Sequence, residues 1–168
     1  MLLDLFSDKS DLYASARPSY PEELFEFIAS VAPSTERAWD CGTGNGQAAI
    51  SLAKHFRSVW ATDGSAQQIA HAIPCDGVEY STQPAEGTSF PNASFDAVCV
   101  AQALHWFDFE RFYPEVRRVL KPNGIIVAWG YAWFEVSPEF DRQFRRLILD
   151  VVHGYWAPQN SLLWNGYR

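Results

Sequence analysis

A Rossmann-like α/β fold, with a doubly wound, mainly parallel sheet of about five strands, is the architecture this sequence predicts. Helix-period and strand-like stretches alternate from about Pro21 to Val152, and such alternation implies parallel strands joined by helices. Phe95 to Ala101 (FDAVCVA) is a short apolar run of the kind a strand shows when both of its faces are covered. A glycine-rich turn, Asp40-Cys41-Gly42-Thr43-Gly44-Asn45-Gly46, falls between a strand and a helix, where such sheets place a ligand loop.

The elements follow in order. Ser19, Pro21 and Glu22 signal a helix start, Leu24, Ile28 and Val31 make its apolar face, and Pro33 ends it. A strand at Arg37 to Cys41 runs into the glycine turn, after which Ala49, Leu52, Ala53 and Phe56 give the i, i+3, i+4, i+7 stripe of a helix. A second unit repeats the plan, with Val59 to Ala61 as strand, Asp63 and Gly64 as turn, and Ala66, Ile69, Ala70 and Ile73 as a buried helical stripe. Val78 to Ser81 is a weaker third strand and Phe95 to Ala101 a central fourth. Phe112, Val116, Val119 and Leu120 mark the next helix, which Pro114 kinks or restarts and Lys121-Pro122-Asn123-Gly124 stops; Ile125 to Trp129 is the fifth strand. Ser137 and Pro138 open a last helix with Phe140, Phe144, Leu147, Ile148 and Val151 inward, and after Gly154 the periodicity fades.

Composition narrows the function. The 168 residues, 48% hydrophobic and 20% charged, suit one compact domain. A net charge of -7 with only 13 Lys and Arg argues against nucleic acid, because neutralising phosphates takes clustered basic residues. Arg117 with Arg118, and Arg142 with Arg145 and Arg146, fall at helical spacing and read as solvated faces. Cys41, Cys75 and Cys99 are odd in number and widely spaced, which suggests neither a disulfide framework nor a zinc knuckle, and no metal is implied. Met1 to Ser10 has acids among its hydrophobes and no long apolar run, so the expectation is a cytoplasmic protein with no membrane partner and a small-molecule substrate.

The chemistry concentrates at the first two strand ends. Gln47 stands where a dinucleotide fingerprint needs its third glycine, so the spacing is D-x-G-x-G-x-G. Asp40 before the loop would repel a pyrophosphate and suit a cationic ligand; the plainer role for it is capping the next helix. Asp63 is placed to accept hydrogen bonds from ribose hydroxyls, or else to cap the helix that follows Gly64. His105 lies just past a strand end and is a candidate general base; its apolar neighbours Leu104, Trp106 and Phe107 equally suit a pocket wall. Of the seven Trp, core packing accounts for most, while Trp106 and Trp133 with Phe134 are candidate pocket lining.

These residues resemble the class I S-adenosylmethionine-dependent methyltransferases. The Asp40 to Gly46 loop is similar to that family's first motif and the Asp63 turn to its ribose-binding acid. Ala85-Glu86 with Phe90 to Val98 resembles its adenine-contacting segment and fourth strand, and Arg118 to Gly124 resembles its turn before the fifth strand. Tyr13 to Pro21 and Ala101 to Phe107 resemble a subgroup that includes trans-aconitate methyltransferase-like enzymes. The resemblance implies S-adenosylmethionine as cofactor, held by Tyr13, Arg17, Asp40, Cys41, Gly42, Gly44, Asp63, Gly64, Ala85, Glu86, Ala101 and Gln102. It implies an N-terminal helical lid at residues 1–33 with Tyr13, Arg17 and Tyr20, a cofactor-binding core at 34–131, and a C-terminal helix and tail at 132–168, with Tyr20, Trp106 and Trp133 lining the substrate pocket. The family usually adds an antiparallel hairpin that has no strand candidates here, so the expectation is a shortened chain whose open fifth strand invites a second copy. The expected activity is methyl transfer to a small molecule, a carboxylate by the subgroup; the alternatives are a non-catalytic S-adenosylmethionine-binding module and a nicotinamide-dependent oxidoreductase.

Overall fold

The computed structural model describes residues 20–131 and 135–167. Element order is α1 (Glu22–Val31), β1 (Arg37–Cys41), α2 (Gln47–Leu52), β2 (Ser58–Asp63), α3 (Ala66–Ala70), β3 (Val78–Thr82), β4 (Phe95–Ala101), a 3-10 turn (Leu104–Trp106), α4 (Phe109–Val119), β5 (Leu120–Trp129), α5 (Pro138–Val152), a second 3-10 turn (His153–Tyr155) and α6 (Asn160–Trp164). The five strands form one sheet in the order β3-β2-β1-β4-β5, and every pairing is parallel. The order reverses between β1 and β4, and a crevice at the carboxyl ends of the strands is expected there. The chain divides into two compact units at Trp129/Gly130.

The first unit owes its packing to alternation of small and large residues. Ala38, Ala61, Ala97, Cys99 and Ala101 present a flat sheet face, onto which α1 and α2 bring Phe25, Ile28, Ala48, Ala49 and Leu52, with Phe56 just beyond α2. On the opposite face the strands carry bulk. Trp39 and Trp60, paired across β1 and β2, meet Phe90 at ring centroid distances of 5.6 and 5.2 Å, and Phe95 closes the cluster 4.9 Å from Phe90. The Trp39 indole N–H donates to Thr62 Oγ1 at 2.8 Å, so the largest core side chain leaves no polar group unpaired.

Several sequence expectations are corrected. On α1 the buried pair is Phe25 and Ile28, while Val31 is 46% exposed, and Pro21 holds the N-cap position without a side-chain cap. The helix after the glycine loop stops at Leu52, yet Phe56 still reaches the core from the turn beyond it. The predicted buried stripe on α3 does not exist: the helix is five residues long with no buried residue, because it flanks the outer strands β2 and β3, and Ile73 lies past its end, 48% exposed. Lys121-Pro122-Asn123-Gly124 ends α4 but does not separate it from a strand beginning at Ile125; β5 starts at Leu120 and absorbs these residues as a bulge, with Asn123 at φ +65°. Pro114 lies within α4, which continues to Val119 as one helix.

In the second unit Ser137 does cap the last helix, its hydroxyl accepting from the Phe140 amide at 3.3 Å. Of the predicted inward set of α5, Phe144 and Ile148 are half-buried, while Phe140, Leu147 and Val151 stand 45%, 62% and 62% exposed. Beyond Gly154, where periodicity faded, α6 nonetheless forms and Trp156 and Trp164 approach to 4.5 Å between ring centroids.

Candidate functional site

The glycine loop leaves β1 and turns on bonds that its own backbone makes to the neighbouring strand. The Gly42 and Thr43 amides both donate to the Thr62 carbonyl at 2.8 and 2.9 Å, and the Gly46 amide closes a turn onto Thr43 O at 3.0 Å. Gly42 has φ +73°, and a Cβ there would lie 2.6 Å from Ala103 Cβ and 3.1 Å from the Phe107 ring. Only glycine fits, and the loop is thereby pressed against the segment that follows β4. That segment opens with Gln102 at φ +56°, a left-handed conformation rare outside glycine and found where a site over-determines its backbone; its amide donates to Trp129 O at 2.9 Å.

Asp63, at the end of β2, ties the loop to the next turn. Its Oδ2 accepts from the Gly44 amide and its Oδ1 from the Ser65 amide, both at 2.9 Å. A carboxylate has about four acceptor sites, so each oxygen keeps one for a ligand hydroxyl. The capping role considered for Asp63 falls to Ser65, whose Oγ accepts from Gln68 N. Gly64 is exposed and would meet nothing with a Cβ added.

Asp40 is fully buried; its Oδ2 accepts from the Thr43 hydroxyl at 2.6 Å, while Oδ1 has no hydrogen-bond partner among the described residues. Burial pushes its carboxyl up to about 7, and the charge of Asp63 adds to this against the opposing pull of the Thr43 hydroxyl. Cys41 is also fully buried, and its thiol is held well above the usual range by desolvation, then by the fields of Asp40, Glu86 and Asp63. Three carboxylates, from β1, β2 and the β3–β4 connection, thus act on the Cys41 thiol. Such a cluster favours a cationic ligand and disfavours a pyrophosphate.

Ala85 is 7% exposed, and Glu86 Oε1 accepts from the Asp108 amide at 3.0 Å, which fastens the β3–β4 connection to the start of α4. Asp108 in turn caps α4, accepting from Glu110 N at 3.1 Å. Ala101 is 9% exposed at the end of β4. His105 sits in the 3-10 turn, 5% exposed and 5.0 Å from the half-buried Trp106 ring; burial lowers its pKa, so its imidazole is neutral at physiological pH. Tyr20 makes T-shaped contacts with Phe25 and, at 5.6 Å, with Trp129 at the end of β5. Tyr13, Arg17, Trp133 and Phe134 lie outside the described residues. Among those described, no cluster of His, Cys, Asp and Glu is arranged to hold a metal ion, and no helix is long and apolar enough to cross a membrane.

Sequence reasoning missed the support beneath this site. Arg118, read as part of a solvated face, donates through Nε and Nη2 to both oxygens of Glu115 at 2.8 and 2.7 Å and through Nη1 to Phe90 O at 2.7 Å. Glu115 also accepts from the Thr88 amide and hydroxyl, at 2.7 and 2.6 Å. Its position one helical turn from Arg118 was the available signal.

The profile of the family described as "Methyltransferase domain" matches residues 39–128, from the middle of β1 almost to the end of β5. A protein of Dictyostelium discoideum described as a methyltransferase is 35% identical across 98% of this chain and 64% of its own length. One of Saccharomyces cerevisiae, described as an S-adenosylmethionine-dependent methyltransferase, is 28% identical across 76% of this chain and 46% of its own. Among solved structures, a type II methyltransferase from Anaeromyxobacter dehalogenans superimposes with a TM-score of 0.80 at 41% identity, over 90% of this chain and 65% of that one. The chain spans less than two thirds of the length of each of these relatives.

Proposed function

This chain belongs to the methyltransferase domain family, and from that premise we propose that it binds S-adenosylmethionine at the β1–β2–β4 strand ends and transfers its methyl group to a small-molecule acceptor. The observation that carries the reading is the tie of Asp63 to the glycine loop, its two oxygens accepting from the Gly44 and Ser65 amides at 2.9 Å and each keeping an acceptor site free for a ligand hydroxyl. The residues fit the cofactor. Asp63 keeps one acceptor on each oxygen for the two ribose hydroxyls, and Gly42 and Gly44 let the ligand approach the backbone closely. Ala85 and Glu86 border the adenine side, and Ala101 and Gln102 the methionine side, in this arrangement. When bound, the cofactor supplies an electrophilic methyl on sulfur, which passes to an acceptor lone pair as the C–S bond breaks and its electrons return to sulfur.

The protein's share is alignment and exclusion of water. Gln102, held in its left-handed conformation, and the 3-10 turn behind it fix one wall of the crevice, and Tyr20 with Trp106 extends the apolar lining toward the acceptor. His105 is neutral and able to accept a proton, though an acceptor that is already a carboxylate needs none. The subgroup that Tyr13 to Pro21 and Ala101 to Phe107 resemble suggests a small carboxylate, which is the acceptor class to try first. The test is release of S-adenosylhomocysteine from S-adenosylmethionine with a panel of small carboxylic acids. Turnover with one or more acids supports the reading, and a His105→Gln variant that keeps its rate assigns His105 to the wall. Binding of the cofactor with no turnover on any acceptor favours a non-catalytic binding module.

A further inference from the structure

The glycine loop is braced from behind by Tyr80, in the middle of the outer strand β3, where it pairs with Ala61 of β2. Gly46 adopts φ +93° at the start of α2, and the space a Cβ would take there is filled by the tyrosine: the added atom would collide with the Tyr80 hydroxyl and lie 2.9 Å from Cε1 and Cζ. The Tyr80 hydroxyl donates to the Ile73 carbonyl at 2.9 Å, and the Ile73 amide donates to the Asn45 carbonyl at 3.1 Å. A continuous chain of contacts thus runs from β3, through the α3–β3 connection, to the loop. The ring also borders an open cavity of about 510 Å³ lined by Ile69, Ala72, Pro74 and Val78 among others. The ring's inner side packs against the hydrophobic core, and the hydroxyl bond adds a directional tie to the Ile73 carbonyl.

We infer that Tyr80 is a positioning residue for the cofactor loop: its ring sets the height of Gly46, and its hydroxyl, acting through Ile73 and Asn45, holds the turn that offers the Gly44 amide to Asp63. This rests on the cofactor site proposed above only for its effect on ligand affinity. Burial pushes the Tyr80 phenol up to about 12, so it remains a donor across the working pH range. The competing account is a space-filling aromatic on an outer strand, for which phenylalanine would serve equally well.

Tyr80→Phe separates the two, because it keeps the ring and removes only the donor. Amide hydrogen exchange on the ligand-free protein is read first. The inference expects the Gly44, Gly46 and Ile73 amides to exchange several-fold faster in the variant, with the β4 amides unchanged. S-adenosylhomocysteine titration is read second, with an expected loss of about five-fold in affinity, the size of one ordinary hydrogen bond. Unchanged loop exchange, or unchanged affinity beside a wild type that binds, overturns the inference. A wild type that binds no S-adenosyl ligand overturns the function proposed above, and the exchange comparison still decides whether Tyr80 holds the loop.

Discussion

Asp40 is the residue at which burial and charge conflict most openly. Its folded pKa of about 7 lies above the ordinary 3.8, so the folded protein holds this proton more tightly than the unfolded chain does. Stability contributed by the protonated form is present in acid and is withdrawn as pH rises toward 7. Asp40→Asn, which retains an acceptor for Thr43, removes the dependence. Urea unfolding at pH 5 and pH 8 should therefore show wild type losing roughly 2–3 kcal/mol relative to Asp40→Asn over that interval. A constant difference would mean that Asp40 is ionised throughout. The place of Asp40 was legible in the sequence, since an acid opening a glycine turn after an apolar strand is conspicuous. Its complete burial and partnerless oxygen were not, because both depend on Thr43 and α2 folding over it.

At the scale of elements, periodicity located every strand of the sheet and misjudged what the helices bury. The β4 run is apolar at every position but Asp96 and is buried throughout, with Asp96 paired to the Lys121 ammonium at 2.9 Å and accepting from the Arg37 amide, so pattern and packing agree. The α3 stripe failed because helical spacing says which residues share a face but not whether the sheet extends beneath it. The connection between β3 and β4 has no periodicity at all, and its order comes from the Glu115–Arg118–Thr88 cluster, which pins Thr88 and Phe90 to α4. The bidentate Arg118 guanidinium, with the Thr88 amide and hydroxyl, holds the Glu115 carboxyl down at about 2 against the opposing effect of burial. Glu115→Gln should cost about 2 kcal/mol at neutral pH, measured by thermal or urea unfolding, since charged hydrogen bonds are lost while their partners stay in place. The sign with pH is opposite to that of Asp40. The contribution is full above pH 4.5 and fades as pH falls toward 2, so the gap between variant and wild type should narrow only in acid. A gap that persists unchanged at pH 2 would assign the loss to packing.

For the whole molecule, the sheet order β3-β2-β1-β4-β5 puts the reversal next to the loop that carries the acids, and fold and site thereby coincide. The loop and its acid were readable in the sequence because both lie on short local motifs. The contact of Gly42 with Ala103 and Phe107, and of Gly46 with Tyr80, joins residues far apart in the chain, and no local pattern encodes it. The central claim is that this crevice takes a cationic adenosyl ligand and rejects a dinucleotide. Calorimetric titration of S-adenosylmethionine, S-adenosylhomocysteine and NAD into wild type and Asp63→Ala tests it most directly. The account predicts that both S-adenosyl ligands bind, that NAD does not, and that Asp63→Ala loses at least ten-fold in affinity with the removal of two ribose hydrogen bonds. Binding of NAD in preference to the S-adenosyl ligands, or an Asp63→Ala variant as tight as wild type, would contradict it.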